Sequence, residues 1–228
     1  MGSFFDNIHL RTTERDRVEH VWAEYWRARG EESLVWISPP YGNWISLFDW
    51  KCDQQNIDIL IELSAHLSRE LGCPTLAFQV QDSDLAEYWL FEQGKKADHY
   101  TSNQHYYPSY LDKEAPATEG VYSGYGPDTQ AGYPSEEDNT NGGNTGLLKS
   151  ITGAAVDDVE LEAILRTPAT FADDILTALA SAIGINDIWA SVGYHYLVTE
   201  GDTIPGIDHF KHLPTEKPPN PQWFEEQN

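Results

Sequence analysis

The residues of this chain best suited to chemistry are the carboxylates of one short turn. Asp82, Ser83 and Asp84 separate two runs with strand character, Thr75–Gln81 and Leu85–Glu92. Traced through the elements described below, that turn falls at the same end of a sheet as Asp53, where a second helix starts. The end of the last strand returns there too, bringing Ser102, Asn103 and His105. Carboxylates with a histidine are ligands for Mg²⁺, Mn²⁺ or Ca²⁺, and a positioned pair can also do acid/base work. A divalent cation held by Asp53, Asp82, Asp84 and His105 is therefore one expectation. The plainer one is that Asp and Ser serve a tight turn and that Asp53 caps a helix.

Other constellations are weaker. Pro39, Pro40, Tyr41, Gly42 and Asn43, flanked by Trp36 and Trp44, make a stiff turn whose Tyr41, Asn43 and Trp44 could form a recognition tip. His209 and His212 could share a metal with Asp208 on a helix, but Pro205 and Pro214 argue against a regular helix there. His195 lies among Trp189, Tyr194 and Tyr196, which suits packing. Glycines precede Lys149 and Ser150 as in a phosphate-binding loop, yet Leu148 stands where that loop needs glycine. HExxH, GxSxG and a helix-opening GxGxxG are absent from the sequence.

The elements that would position these residues can be read from periodicity. Residues 4–11 read as a strand, and a helix runs to about Arg29 with Thr12 and Thr13 as cap oxygens and Val18, Val21, Trp22, Tyr25 and Trp26 as its apolar stripe. Residues 34–38 and 44–50 pair as a hairpin. A helix from about Asp53 carries Ile57, Leu60, Ile61, Leu67 and Leu71 inward and stops at Gly72, Cys73 and Pro74. Three strands follow, ending near Thr101. Right-handed crossovers by the two helices predict an α+β fold, a ferredoxin-like α/β sandwich with an antiparallel sheet, two helices and an extended edge. This domain spans 1–107. Residues 108–147 read as an acidic, polar loop or insertion with several tyrosines. A mainly helical segment, 148–213, follows, with helices at 159–165 and 172–183 and a stretch at 188–198 that could be helix or strand. An extended, proline-rich tail covers 214–228.

Charge narrows the partners. The 228 residues hold 37 Asp and Glu against 14 Lys and Arg, a formal net charge of −23 at pH 7. Residues 1–107 contribute −8 and residues 108–228 contribute −15. Such a field repels nucleic-acid phosphates and anionic lipid and draws in basic proteins, although excess Asp and Glu also serves solubility alone. No stretch approaches the roughly 20 apolar residues of a membrane span, and the N-terminal residues lack an apolar run of signal-peptide length. We expect a soluble, cytoplasmic protein. Cys52 and Cys73 are too few for a disulfide framework and read as reduced, partly buried thiols.

Ser38, Pro39 and Pro40 before a turn and Trp44, then Gln81, Asp82, Ser83 and Asp84, then Tyr88, Trp89 and Leu90 before a glycine turn, resemble a group of uncharacterised bacterial proteins. The resemblance covers about residues 5–107, with a fainter echo over 179–197. It implies a bacterial, cytoplasmic setting and brings no activity with it. The leading expectation is a non-enzymatic binding or regulatory protein whose acidic surface meets a basic protein partner, as an immunity protein or inhibitor would. The alternatives are a divalent-metal-binding domain or metal-dependent hydrolase built on Asp82 and Asp84, and a structural subunit of a homo-oligomer packing through residues 188–198.

Overall fold

In the computed structural model, residues 2–103, 141–154 and 156–214 are described. The fold is α+β. Among the described residues the strands form one eight-stranded sheet, ordered β7-β6-β5-β4-β1-β3-β2-β8, with every neighbouring pair antiparallel. The strands are β1 (Phe5–Leu10), β2 (Leu34–Ile37), β3 (Ile45–Asp49), β4 (Thr75–Gln81), β5 (Leu85–Glu92), β6 (Lys95–Thr101), β7 (Asn141–Gly142) and β8 (Lys211–Pro214). Helices α1 (Arg15–Arg29) and α2 (Ile57–Leu71) cover one face. On the other lie α3 (Thr145–Thr152), α4 (Asp158–Arg166), α5 (Ala172–Ala182), α6 (Asp187–Ala190) and α7 (Tyr194–Thr199). None of the described helices is long and apolar enough to cross a membrane.

Alternation along each strand divides the core between the two faces. Ile8, Leu10, Leu47, Ala77, Trp89 and Phe91 meet Val18, Trp22, Trp26, Leu60, Leu63 and Leu67 of the first two helices. Leu76, Phe78, Val80, Tyr88 and Tyr100 meet Leu148, Leu161, Leu165, Leu176 and Leu179 on the opposite face. The stripe expected on α1 is buried in full, each such side chain contributing roughly 1.5–3 kcal/mol. A sheet packed on both faces turns the first strand into a central one, and all six residues of β1 are buried. Its polar members Asp6, Asn7 and His9 are therefore inside the protein.

Several local expectations are revised or decided. Thr12 does accept a backbone bond, from Glu14 N at 3.2 Å, but Glu14 and not a threonine is the residue before α1. The second helix begins later than the periodicity suggested. Asn56 caps it by accepting from Ile59 N at 3.3 Å, so Asp53 is freed from capping. Residues 188–198 form parts of two short helices separated at Val192 and Gly193, because Gly193 is extended. The region expected to be helical also ends in a strand: β8 pairs with β2, placing the His212 ring 4.5 Å from that of Trp36. His212 Nε2 lies 3.0 Å from the Tyr194 hydroxyl, while His209 sits exposed in the preceding turn. Most of the 108–147 segment and residues 215–228 lie outside the described residues.

Both thiols are buried. Burial pushes Cys52 well above its ordinary value, helped by Asp49, Asp6 and Asp53, and lifts Cys73 to about 11. Reactivity follows thiolate content. Neither thiol should react with a disulfide reagent at neutral pH in the folded protein, and both should react on addition of urea; a fast native reaction would contradict this burial.

Candidate functional site

The register of the sheet lines up polar residues across four strands. Asp6 of β1 faces Gln79 of β4, Gln79 faces Glu87 of β5, and Glu87 faces Thr101 of β6. Facing pairs stand about 4.5–5.5 Å apart at Cβ. Two residues further along each of the first three strands are Ile8, Ala77 and Trp89, which pack against α1 and α2. The polar row therefore lies on the same face, one step beyond the apolar floor and close to the loop that leads into α2. All four side chains are buried, Asp6 and Gln79 at 0% exposure and Glu87 at 8%.

The row is not a satisfied network. Neither carboxylate oxygen of Asp6 and neither end of the Gln79 amide makes a hydrogen bond of normal length and angle among the described residues, although the facing Gln79 amide is close enough to act on the Asp6 carboxyl. The Gln55 amide, on the loop before α2, is buried and likewise unbonded, and Gln55 holds a left-handed φ of 59°. An unsatisfied buried polar group costs about 1–3 kcal/mol, and more when charged. The fold carries that cost at one end of its central strand.

Asp53 closes the row on the other side. Strand β3 pairs with β1 only from Ile8 onward, leaving the Asp6 N–H without a strand acceptor. The Asp53 carboxylate fills the gap, accepting from Asp6 N at 3.1 Å and from His195 N, at the start of α7, at 2.7 Å. Asp6 is pushed well above the carboxylate range by burial first and then by the charge of Asp53; hydrogen bonding from the facing Gln79 amide pulls it back, and Glu87 adds a smaller rise. Burial likewise lifts Asp53 to about 7 against the pull of its two N–H donors, with Asp49 adding to the rise. At the β6 end, His99 Nε2 is 3.2 Å from Glu87 Oε1, and its ring stacks on Trp89 at 5.0 Å. The charges felt by Asp6 all come from acids, so the folded protein favours its protonated form.

A Cβ at Gly193 would collide with the Asp53 carboxylate. Gly193→Ala should displace either Asp53 or the start of α7, lowering stability by about 1–3 kcal/mol. Hydrogen exchange concentrated at residues 193–199 would report it; unchanged protection would argue that the Asp53 bridge is not formed.

The residues singled out in the sequence have other placements. Asp82 and Ser83 have φ of 51° and 56° and make the tight turn between β4 and β5, closed by Asp84 N donating to Gln81 O at 3.0 Å. Ser83 is braced there: its hydroxyl accepts from Ser3 N at 2.7 Å and its carbonyl from Ala172 N at 2.7 Å. Asp82 and Asp84 are exposed, whereas Asp53 is engaged by Asp6 and His195. His105 lies outside the described residues. Among the described residues no three His, Cys, Asp or Glu are arranged to hold a metal. Trp44 is in the core, its indole donating to Ile183 O at 3.1 Å. Tyr41 is 48% exposed and meets Trp189 edge-on at 5.8 Å, and Asn43 is exposed. The turn they occupy thus docks on the C-terminal helices.

A second surface stands out on the layer formed by residues 141–210. With β8 it carries ten Asp and Glu, all exposed except the half-buried Asp173. Its three bases are already paired: Lys149 with Asp158, Arg166 with Glu162, and Lys211 with Asp16 and Glu19. The same layer presents Val159, Phe171, Ile188, Tyr196 and Val198, five of the seven large exposed apolar side chains among the described residues. The chain matches no protein-family model, no curated protein and no solved structure.

Proposed function

We propose that this protein is a binding protein, not an enzyme, and that its C-terminal helical layer docks a basic protein partner. The observation that carries this reading is the coincidence on one layer of unneutralised carboxylates and exposed apolar side chains. Acidic charge speeds the encounter, and apolar and aromatic groups supply the contact area that holds it. An immunity-like or inhibitory role, with these carboxylates occupying a basic anion-binding surface, is the form of the reading that uses the charge most directly. In the same reading the heart of the fold is ferredoxin-like: the strand order β4-β1-β3-β2, with α1 and α2 on one face, supports this, and the outer strands and the second helical layer are additions to it.

The test is capture from a bacterial lysate by wild type and by a variant carrying Asp174→Asn, Asp187→Asn, Asp202→Asn and Phe171→Ser. A basic protein that binds wild type at low salt, is released at high salt and is not recovered by the variant supports the proposal. Recovery of no basic protein, or equal recovery by the variant, counts against it. A mass measurement on the purified chain distinguishes the rival use of the same apolar groups, self-association through residues 188–198.

A further inference from the structure

The geometry points to a proton-controlled latch: the Asp53 carboxyl clamps the start of α7 onto β1, and its ionisation favours release of residues 193–199 from the sheet. The latch does not rest on the docking proposal.

Two anchors hold the chain that enters α7. Asp53 accepts from His195 N at 2.7 Å while also accepting from Asp6 N at 3.1 Å. Asn7, the next residue of β1, donates its side-chain amide to Ala190 O at 3.0 Å and to Val192 O at 2.9 Å. Gly193 lies against the Asp53 carboxyl, so close that a Cβ there would collide with it. The chain entering α7 is thus part of what keeps that carboxyl from water. Beyond these anchors the helix has little hold. Only Tyr194 and Leu197 of its six residues are buried, and His195, Tyr196, Val198 and Thr199 are exposed. Segments with few buried apolar contacts are the ones that open locally at least cost. Tyr196 and Val198 ride on this helix, so the latch also sets how they are presented.

The surroundings of Asp53 fix the direction of the response. Asp6 of β1, Asp49 of β3, Cys52 of its own loop and Tyr194 of α7 all interact with it. Glu87 of β5 acts on Asp6 in turn, and His195 contributes its N–H. Burial lifts the closed-state pKa of Asp53 to about 7 against the pull of the two N–H groups, with Asp49 adding to the rise. Once α7 swings away, water reaches the carboxyl and its pKa returns toward the ordinary value of about 4. The closed state binds the proton more tightly, so closure is favoured at low pH. Opening then gains up to about tenfold per pH unit between about 4 and about 7. His212 of β8 works in the opposite direction. Its ring meets the Tyr194 hydroxyl at 3.0 Å, and burial holds it below its ordinary value, so release of α7 favours its protonation.

The experiment is native-state hydrogen exchange on the full chain from about pH 5 to about pH 7.5, corrected for intrinsic exchange and run with and without low urea. It compares wild type, His212→Gln, which removes the opposing group, and Asp53→Asn, which removes the titrating one. The readouts are the amides of His195, Leu197 and Glu200, bonded to Asp53, Gly193 O and Tyr196 O; the β4 amides report global unfolding. The expected result is that the α7 amides exchange faster than those of β4 and are insensitive to low urea, as in local opening. In His212→Gln their protection should fall as pH rises, by up to about tenfold per unit, and in Asp53→Asn that fall should be absent. The proposal is overturned by α7 amides that exchange only as β4 does, by protection in His212→Gln that does not fall with pH, or by the same slope in Asp53→Asn. The first two readouts decide it even where Asp53→Asn does not fold.

Discussion

Asp49→Ala should be the most damaging single substitution in the chain, costing about 3–5 kcal/mol, the range for stranding the partners of a buried charge. Asp49 is buried at the end of β3, and its two oxygens serve five donors. One oxygen accepts from the indoles of Trp22 and Trp26 at 2.6 and 2.9 Å. The other accepts from Ser33 Oγ at 3.0 Å, Lys51 N at 2.8 Å and Cys52 N at 3.3 Å. Burial raises its pKa while these donors pull it back. This one carboxylate therefore ties α1 to the sheet and shapes the loop toward α2. Alanine strands all five donors. Asparagine is little better, because one of its two termini must turn N–H bonds toward donors. Urea midpoints should fall for both variants; a loss under about 1 kcal/mol for Asp49→Ala would show that the hub is not what holds α1 in place.

Asp6→Asn should have the opposite sign. Asp49 is held by five donors, whereas Asp6 is eased only by the facing Gln79 amide, so removing the Asp6 charge relieves a cost, and a gain of roughly 1–3 kcal/mol above neutral pH is expected. The pH dependence carries the same signature. A carboxyl whose folded pKa lies above its unfolded value binds its proton more tightly when folded, so stability is greatest at low pH and is lost as pH rises toward the folded pKa. For Asp53 the window runs from about 4 to about 7. The loss is at most about 4 kcal/mol, less whatever its remaining solvent contact screens. Asp6, raised well above the carboxylate range, extends the decline beyond that window. Wild type should melt higher at about pH 5 than at about pH 8, and Asp6→Asn should flatten the slope.

How far the sequence announced this differs from one element to another. The stripe Val18, Val21, Trp22, Tyr25, Trp26 and the alternation of β4 are strong periodic signals, and the early elements fall close to where those signals put them. Asp53 draws attention in the sequence by its place at the start of the second helix, where the plain reading is a helix cap; Asn56 does that work and Asp53 instead bridges Asp6 and His195. The partner on α7 is 142 residues away in the chain, and no local pattern reports such a contact. Asp6, Gln79 and Glu87 do not stand out in the sequence, because polar residues in a strand ordinarily mark its solvent face. Their phase was the available signal: Asp6 is in step with Ile8 and Leu10, and Glu87 with Trp89 and Phe91, so these acids point where apolar residues point. Only the second helical layer, which makes β1 a central strand buried on both faces, converts that phase into burial. Trp44 illustrates the same effect in reverse, since it reads as an exposed tip until α5 and α6 supply the surface that covers it.

The reading of the sheet's polar row stands on Asp6 being a fully buried carboxyl whose partners compensate it poorly. The most direct measurement is the urea-unfolding free energy of wild type and Asp6→Asn at about pH 8, where the ionised form is most strongly demanded by solvent. The account predicts that the asparagine variant is the more stable of the two. A variant less stable than wild type would mean that Asp6 has compensating partners and that the polar row belongs to the architecture alone.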